Sequence, residues 1–228
     1  FALPLAEKEV LTHNSRRFRF ALPTPEHVLG LPVGKHVFVS GKRKGTTEFV
    51  MRAYTPATGD ELKGFVDLVV KVYKPCERFP QGGKMSQLLD ELEIGETVDF
   101  KGPLGEITYL GDSAFDVKGR LRHFPCVAML AGGTGITPMY QVIRAVLADP
   151  ADGTALSLVY ANQSEDDILL RGELDALVAR HPDRFRVWYT IDKPNDPAAW
   201  KFSVGFIDEE MLRAHLPEAG EGSVALMC

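Results

Sequence analysis

Hydrophobic and polar residues alternate along the first half of the chain, up to about Gly111, in short runs separated by Gly, Pro, Asn and Asp. The alternation is clearest in residues 16–21, 66–73 and 97–101, and residues 37–40 form a β-branched and aromatic run. A period of two places successive side chains on opposite faces of a strand. Several such runs in succession predict an antiparallel β-barrel, interrupted by one helix over residues 86–92.

The pattern changes from Phe124 onward, where apolar runs alternate with helical stripes. Strands are predicted at residues 126–131, 156–160, 186–191 and 224–227, and helices at residues 137–147, 169–178 and 207–215. Alternating strands and helices predict a parallel sheet with crossover helices. The expected architecture is therefore a β-barrel followed by an α/β domain. We expect a barrel over residues 1–111, a polar linker over 112–124 and a nucleotide-binding domain over 125–228.

Composition and charge narrow the class of protein. The chain has 228 residues, of which 45% are hydrophobic and 25% charged, as in an ordinary globular protein. A net charge of −5 argues against nucleic acid as the main partner, and the basic run at residues 42–44 is better explained by a solvated hairpin turn. Since no run approaches the roughly 20 apolar residues of a membrane helix, we expect a soluble, cytoplasmic protein. A chain that begins at Phe1 and stops at Cys228 is expected to be a segment of a longer protein.

The cysteines and histidines exclude several site types. Cys76, Cys126 and Cys228 are an odd number at wide spacing, which fits neither a disulfide framework nor a Cys-x-x-Cys metal site and favours a reducing compartment. The six histidines lack the spacing of a zinc site, so no metal is predicted. The absence of a Gly-x-Ser-x-Gly motif argues against a hydrolase.

A glycine-rich segment stands between the strand predicted at 126–131 and the helix that follows it. Gly132, Gly133 and Gly135, with Thr134 between them, let the backbone turn tightly, and Pro138 suits the first helical turn. A pyrophosphate could bind the exposed amides at the positive end of the helix. The segment is neither the G-x-G-x-x-G fingerprint nor a P-loop. The alternative is a turn needed only for close packing.

Two further segments in the barrel half could bind a nucleotide. Arg52 offers a planar fork to a phosphate, and Tyr54, on the same strand face, could stack on a planar ligand, with Thr55 adding a hydroxyl. Residues 82–86 place two glycines before a helix, which provides another anion site. Taken alone, residues 52–56 are better explained by an ordinary strand that runs into a Thr-Pro turn.

Together these segments resemble the ferredoxin–NADP reductase superfamily and, within it, the cytochrome b5 reductase branch. The matching segments occur in order along the chain, at residues 52–55, 69–73, 82–86, 102–105, 132–138 and 160–162. Residues 16–23 and 25–35 resemble the flavin–NADH reductase module of eukaryotic assimilatory nitrate reductase. The segment at 74–79 is about two residues shorter than the family pattern, and the family continues beyond Cys228 with a Gly-Pro-Pro segment.

The resemblance implies two cofactors, FAD and NADH, and a set of residues that hold them. Those that would bind FAD are Arg52, Ala53, Tyr54, Thr55, Val69, Val70, Lys71, Val72, Tyr73, Phe79, Lys84, Met85 and Ser86. Those that would bind NADH are Gly132, Gly133, Thr134, Gly135, Thr137 and Asp167, and Thr137 would touch the flavin as well as the nicotinamide. Thr55, Lys71 and Cys228 would act at the reacting rings.

Asp167 and Cys228 are also supported by their positions. Residues 165–167 follow the second strand of the α/β half, where a carboxylate would bind a ribose hydroxyl and repel a 2′-phosphate. An acidic turn that caps the next helix is the alternative. Cys228 ends a predicted strand, and the carboxyl ends of parallel strands face the ligand crevice.

The implied activity is hydride transfer from NADH to FAD, followed by single-electron delivery to a b-type haem domain in the same full-length chain. In that setting the protein would serve nitrate assimilation, and any dimerisation would use parts outside this segment. Two alternatives remain: a free-standing NADH–cytochrome b5 reductase, and a non-catalytic nucleotide-binding module that keeps the fold for regulation. Sequence upstream of Phe1 and NADH turnover would distinguish them.

Overall fold

The chain folds as two units, Phe1–Gly105 and Glu106–Cys228. A computed structural model describes residues 1–77 and 79–228. In that part of the chain, no helix has the length and apolar character needed to cross a membrane. The first unit contains one sheet and the second unit contains two, and the predicted architecture, an antiparallel barrel-like half followed by a parallel α/β half, is confirmed.

The first unit is an antiparallel sheet in the order β4-β3-β6-β1-β2-β5. Its elements are β1 (Ala2–Thr12), β2 (Ser15–Ala21), β3 (His36–Lys42), β4 (Phe49–Tyr54), β5 (Phe65–Lys71), α1 (Lys84–Glu91) and β6 (Thr97–Leu104). Inward-facing side chains of the strands and of α1 form one core, in which the rings of Phe20 and Phe100 meet edge to face at 5.1 Å. This burial of apolar surface stabilises the unit.

The strand β1 is not indicated by the alternation of the sequence, because charged residues occupy its middle. These charges lie opposite arginines of β2: Glu9 forms an ion pair with Arg17, and Glu7 lies 3.3 Å from Arg19. Opposite charges on neighbouring strands favour this pairing. Cross-strand charge complementarity therefore replaces the hydrophobic pattern that the sequence lacks here.

The second unit is a parallel sheet in the order β13-β12-β11-β10-β14, preceded by a small antiparallel sheet. Its elements are β7 (Ile107–Gly111), β8 (Ala114–Val117), β9 (Arg120–His123), β10 (Cys126–Gly132), α2 (Ile136–Ala148), β11 (Ala155–Asn162), α3 (Arg171–Arg180), β12 (Phe185–Ile191), β13 (Ser203–Val204), α4 (Glu209–His215) and β14 (Ser223–Met227). The first parallel strand, β10, lies between β11 and β14, so the direction of the crossovers reverses beside it. Ligands of open α/β sheets bind at the carboxyl ends of strands at such a reversal.

Residues 112–124, for which the sequence predicts a linker, contain β8 and β9. Asp112 and Ser113 turn the chain with φ of 48° and 60°, and Lys118 and Gly119 do so with φ of 54° and 76°. Turns with two positive φ values match the twist of a hairpin. Phe115 is buried, and its ring packs on Tyr109 of β7 with the centroids 5.0 Å apart. Polar turn residues make the segment resemble a linker, whereas its few apolar positions form a folded sheet.

Candidate cofactor-binding sites

The strand β4 presents an arginine and a tyrosine on one face of the first unit. The Arg52 guanidinium donates to the Met51 carbonyl at 2.7 Å and has no acidic partner among the described residues. Tyr54 packs partly against the barrel core, and burial raises the pKa of its phenol to about 12. Arg52 therefore provides a cation with further N–H donors, and Tyr54 provides a neutral aromatic ring beside it. This combination suits a phosphate attached to a planar group.

A glycine turn positions the start of α1. Gly82 has φ of +60°, and an added Cβ would lie 2.4 Å from the Tyr73 carbonyl oxygen, so only glycine fits. The Gly83 amide donates to the same oxygen at 2.8 Å. No side chain in the described part of the chain caps α1, which leaves the amides of its first turn available to an anion. Because α1 contacts β4, this anion site belongs to the region of Arg52.

The side chains at the start of α1 contact other residues of the first unit. Met85 is buried in the barrel core. The Ser86 hydroxyl accepts from the Tyr73 amide at 3.1 Å and donates to the Gly83 carbonyl at 3.0 Å, and Lys84 forms an ion pair with Glu48. Met85 and Ser86 would therefore reach a phosphate through their backbone amides.

The segment at residues 69–73, which is predicted to line the flavin, includes both buried and accessible side chains. Val70 belongs to the barrel core, and Val69 and Val72 are also buried. Lys71 is half-buried, and Tyr73 is 48% exposed. Lys71 and Tyr73 are thus the members of the segment whose side chains reach the surface of the unit.

The loop that carries Thr55 is tied to β5. The Ala57 amide donates to the Asp67 carbonyl at 2.9 Å, and the Asp67 amide donates to the Thr58 hydroxyl at 3.1 Å. The Asp67 carboxylate, which is buried, accepts two bonds of 2.8 Å from Arg19. A bidentate ion pair of this kind fixes both partners. Thr55 therefore lies in a loop with a defined conformation.

Phe79 lies in a short connection before α1. Cys76 and Phe79 exchange backbone hydrogen bonds of 3.1 and 3.0 Å, and the Phe79 ring is 51% exposed. Its neighbour Arg78 lies outside the described residues. The ring is accessible to a planar ligand.

The glycine-rich segment of the second unit follows β10 directly. A 3-10 turn at Gly133–Gly135 leads into α2, and Gly133 has φ of +51°. No described atom lies within 4 Å of a Cβ added to Gly132 or Gly133, so this backbone faces open space. The Thr137 hydroxyl donates to the Thr134 carbonyl at 3.1 Å. An open glycine backbone at the start of a helix fits a pyrophosphate.

The end of β14 packs against this segment. The Gly132 amide donates to the Cys228 carbonyl at 3.0 Å, and the Cys228 amide donates to the Leu130 carbonyl at 3.0 Å. A Cβ on Gly135 would lie 2.3 Å from the Cys228 oxygen. The structure therefore brings Cys228 and the glycine-rich segment together, as the parallel-sheet argument predicts.

Two residues at the end of β11 join this edge of the sheet although the sequence reasoning assigned them no role. The Tyr160 hydroxyl donates to the Gly133 carbonyl at 2.8 Å. Both polar atoms of the Asn162 side chain are buried without a partner among the described residues. An unpaired buried amide is costly, so it marks a place where a polar ligand would be favourable. A tyrosine inside an apolar strand was the available signal, since a buried hydroxyl requires a partner.

Asp167 lies in a 3-10 turn at Glu165–Asp167. Its carboxylate is largely buried and accepts from the Ser164 hydroxyl at 2.7 Å. Glu165 accepts from the Asn195 amide at 3.2 Å, whereas Asp166 is exposed. The acidic run therefore consists of carboxylates in three different environments.

A cavity of about 410 Å³ lies at the opposite end of β11 and β12. Its wall includes Arg184, Arg186 and Trp188, whose ring stacks on His215 with centroids 3.8 Å apart. Burial lowers the pKa of His215. This cavity is lined by the first residues of the strands and is separate from the glycine-rich segment.

The two units thus define a flavin- and nicotinamide-dependent oxidoreductase, and comparison with known proteins supports that class. Residues 2–109 match the family described as Oxidoreductase FAD-binding domain, and residues 129–228 match Oxidoreductase NAD-binding domain. NADH-cytochrome b5 reductase 3 of Rattus norvegicus is 52% identical over all of this chain and 77% of that protein. Nitrate reductase [NADH] 1 of Zea mays is 51% identical over 98% of this chain and 36% of that protein.

A solved structure shows the same relationship. The cytochrome b5 reductase domain of Ulva prolifera nitrate reductase superposes with a TM-score of 0.93 at 47% identity, over all of this chain and 86% of that one. The chain belongs to the cytochrome b5 reductase branch of the ferredoxin–NADP reductase superfamily. It is an NADH-dependent FAD oxidoreductase, and the predicted family, activity and cofactors are confirmed. The roles of the individual site residues stay predictions.

Proposed function

We propose that this chain passes electrons from NADH through FAD to a cytochrome b5-type haem, as the reductase part of a nitrate reductase whose haem domain lies in the same full-length protein. The observation that carries the proposal is the likeness to the Ulva reductase domain, which extends over the whole of this chain. The three free cysteines are consistent with a cytoplasmic setting. Any dimerisation would use other parts of the full-length protein.

We assign residues 1–111 to FAD and residues 125–228 to NADH, with residues 112–124 between them. When bound, these cofactors supply the redox chemistry, in which hydride passes from NADH to FAD and electrons leave singly. Arg52 binds the FAD phosphates together with the first-turn amides of α1. Tyr54 packs on the flavin, Thr55 donates a hydrogen bond to its reactive edge, and Lys71 places a positive charge there.

The residues of the second unit orient the nicotinamide nucleotide. The open backbone of Gly132–Gly135 binds the pyrophosphate, and Thr137 contacts the nicotinamide. Asp167 accepts a hydrogen bond from the adenosine ribose and repels a 2′-phosphate, which selects NADH. Cys228 packs beside the nicotinamide and helps to set the distance over which hydride moves.

A free-standing NADH–cytochrome b5 reductase is the second candidate. It is favoured by the identity of 48–52% to vertebrate reductases, of which this chain covers about three quarters. Both candidates share the haem acceptor and differ in whether it is covalently linked. The FAD and NADH chemistry of the chain is the same in either case.

Two experiments test the proposal. The FAD-loaded chain should reduce a separate cytochrome b5 haem domain with NADH, measured by the change in the haem Soret band. Reduction of ferricyanide without any reduction of the haem domain would contradict a b5-type partner. The full-length reading frame then decides between the candidates: a haem domain encoded upstream of Phe1 is expected, and a membrane-anchor signal in its place would establish the free-standing enzyme.

A further inference from the structure

The Tyr160 side chain lies beneath the glycine-rich segment of the second unit. Its ring is fully buried in β11, with its centroid 6.2 Å from that of Tyr189. Its hydroxyl donates to the Gly133 carbonyl at 2.8 Å. A ring held on all sides by a close-packed core cannot turn away, so the hydroxyl presents a fixed donor to the segment above it.

The Gly133 carbonyl governs how that segment presents its amides. Gly133 adopts φ of +51°, and its oxygen also accepts from the Ile136 amide at the start of α2. Rotation of the peptide between Gly133 and Thr134 would move the carbonyl and the Thr134 amide together, because the peptide unit is planar. Because the Tyr160 hydroxyl fixes the Gly133 carbonyl on the buried side of the segment, it also fixes the Thr134 amide on the opposite side.

We propose that Tyr160 is a positioning residue that, through its bond to the Gly133 carbonyl, holds the amides of the glycine-rich segment in place for the pyrophosphate of the nicotinamide nucleotide. This inference rests on the proposed function, which places the pyrophosphate at Gly132–Gly135. Burial raises the pKa of the Tyr160 phenol, so the hydroxyl is protonated at neutral pH and acts as a donor.

The variant Tyr160→Phe removes only the hydroxyl oxygen and keeps the ring in the core. Loss of one neutral hydrogen bond in this position is expected to weaken pyrophosphate binding about 3- to 10-fold. The variant should weaken the binding of ligands that contain the pyrophosphate and leave the binding of adenosine unchanged. ADP-ribose carries the pyrophosphate and adenosine lacks it, so the ratio of their affinities reports on the segment itself.

The matched control is Tyr189→Phe. Tyr189 is equally buried, lies on the adjacent strand, and donates its hydroxyl to Asp175 at 2.7 Å. Tyr189→Phe therefore removes a charge-assisted hydrogen bond, which is at least as strong as the neutral bond of Tyr160, and its acceptor is Asp175 of α3 and not the glycine-rich segment. A general loss of stability would affect both variants, whereas an effect transmitted through Gly133 would affect only Tyr160→Phe.

The experiment measures inhibition constants of ADP-ribose and adenosine against NADH in the FAD-loaded enzyme. For Tyr160→Phe we expect the ADP-ribose constant to rise about 3- to 10-fold, the adenosine constant to stay within twofold, and KM for NADH to rise more than kcat falls. Tyr189→Phe should leave the ratio of the two constants unchanged. An unchanged ratio in Tyr160→Phe, or an equal change in both variants, would overturn the proposal.

A further variant separates this proposal from the function on which it rests. Gly132 has extended backbone with φ of −121°, and a Cβ added there meets no described atom within 4 Å. Gly132→Val should therefore fold normally while filling the space assigned to the pyrophosphate. If ADP-ribose inhibits Gly132→Val as well as it inhibits the parent enzyme, the assigned pyrophosphate site is wrong. If Gly132→Val loses inhibition and Tyr160→Phe does not, only the role of Tyr160 is wrong.

Discussion

Removal of the Arg52 guanidinium is the most direct test of the FAD site. Arg52 is exposed on β4, and the hydrogen bond that its side chain makes in the structure is to the Met51 carbonyl. In Arg52→Ala this bond is lost at an exposed position, where a hydrogen bond to water replaces it at little cost. The fold should therefore persist, and the effect should fall on the cofactor.

The magnitude follows from the charge of the contact. A hydrogen bond to a charged group contributes about 1.5–3 kcal/mol, which corresponds to an increase of about 10- to 150-fold in the dissociation constant of FAD. Arg52→Lys retains the charge and loses the planar fork, so its effect should be smaller. The first-turn amides of α1 remain in both variants, so FAD binding should be weakened and not abolished.

The assay is the fluorescence of flavin released on dilution of the FAD-loaded protein, which gives the dissociation constant directly. Arg122→Ala is the matched control, since Arg122 is an exposed arginine of β9 and its loss changes the net charge equally. An FAD dissociation constant within twofold of the parent in Arg52→Ala, or an equal increase in Arg122→Ala, would show that Arg52 does not bind the phosphates.

Three further predictions concern the second unit. Asp167→Asn should raise catalytic efficiency with NADPH relative to NADH, because the negative charge is lost while the amide oxygen can still accept from Ser164. Steady-state kinetics with both nucleotides measure this ratio, and an unaltered ratio would place the determinant elsewhere. Cys228→Ser should retain FAD yet slow flavin reduction by NADH, up to ~100-fold if the nicotinamide moves by about 1 Å. The rate of flavin reduction is measured in single-turnover stopped flow, and a rate equal to that of the parent enzyme would refute this role. Gly135→Ala should lower the free energy of unfolding by about 1–3 kcal/mol, because its Cβ would lie 2.3 Å from the Cys228 oxygen, whereas Gly132→Ala, with open space at that position, should be nearly neutral in the same urea titration.

The sequence predicts the elements that appear as continuous apolar runs. The runs at residues 126–131 and 186–191 correspond to β10 and β12, in which consecutive residues are buried and both faces of the strand are therefore covered. The missed elements follow a different rule. In β1 the charges pair with β2, and in β8 and β9 the turn residues dominate the composition, so the apolar period is hidden in both places.

The candidate site was predictable where a motif needs glycine for its backbone conformation or for close packing. The glycines at residues 132–135 are needed for a turn that leaves the backbone open, and Gly82 is needed where a Cβ would meet the Tyr73 carbonyl. The bond between Thr58 and Asp67 and the bond from Tyr160 to Gly133 were not predictable, because each joins a strand residue to a residue of a loop or turn elsewhere in the chain. Which backbone group meets a given hydroxyl depends on how the loops settle on the folded sheet.

The position of β14 beside β10 sets the order in which the second unit can be completed. Cys126 pairs with Ala155 of β11 nearby in the chain, but its partner on the other side is Ser223 of β14. Closing the longer loop costs about 1 kcal/mol more in chain entropy, and contacts distant in sequence form late. During synthesis the bond from the Gly132 amide to the Cys228 carbonyl cannot form until β14 has left the ribosome, so the glycine-rich segment lacks this lateral support until the last residues of the unit are made.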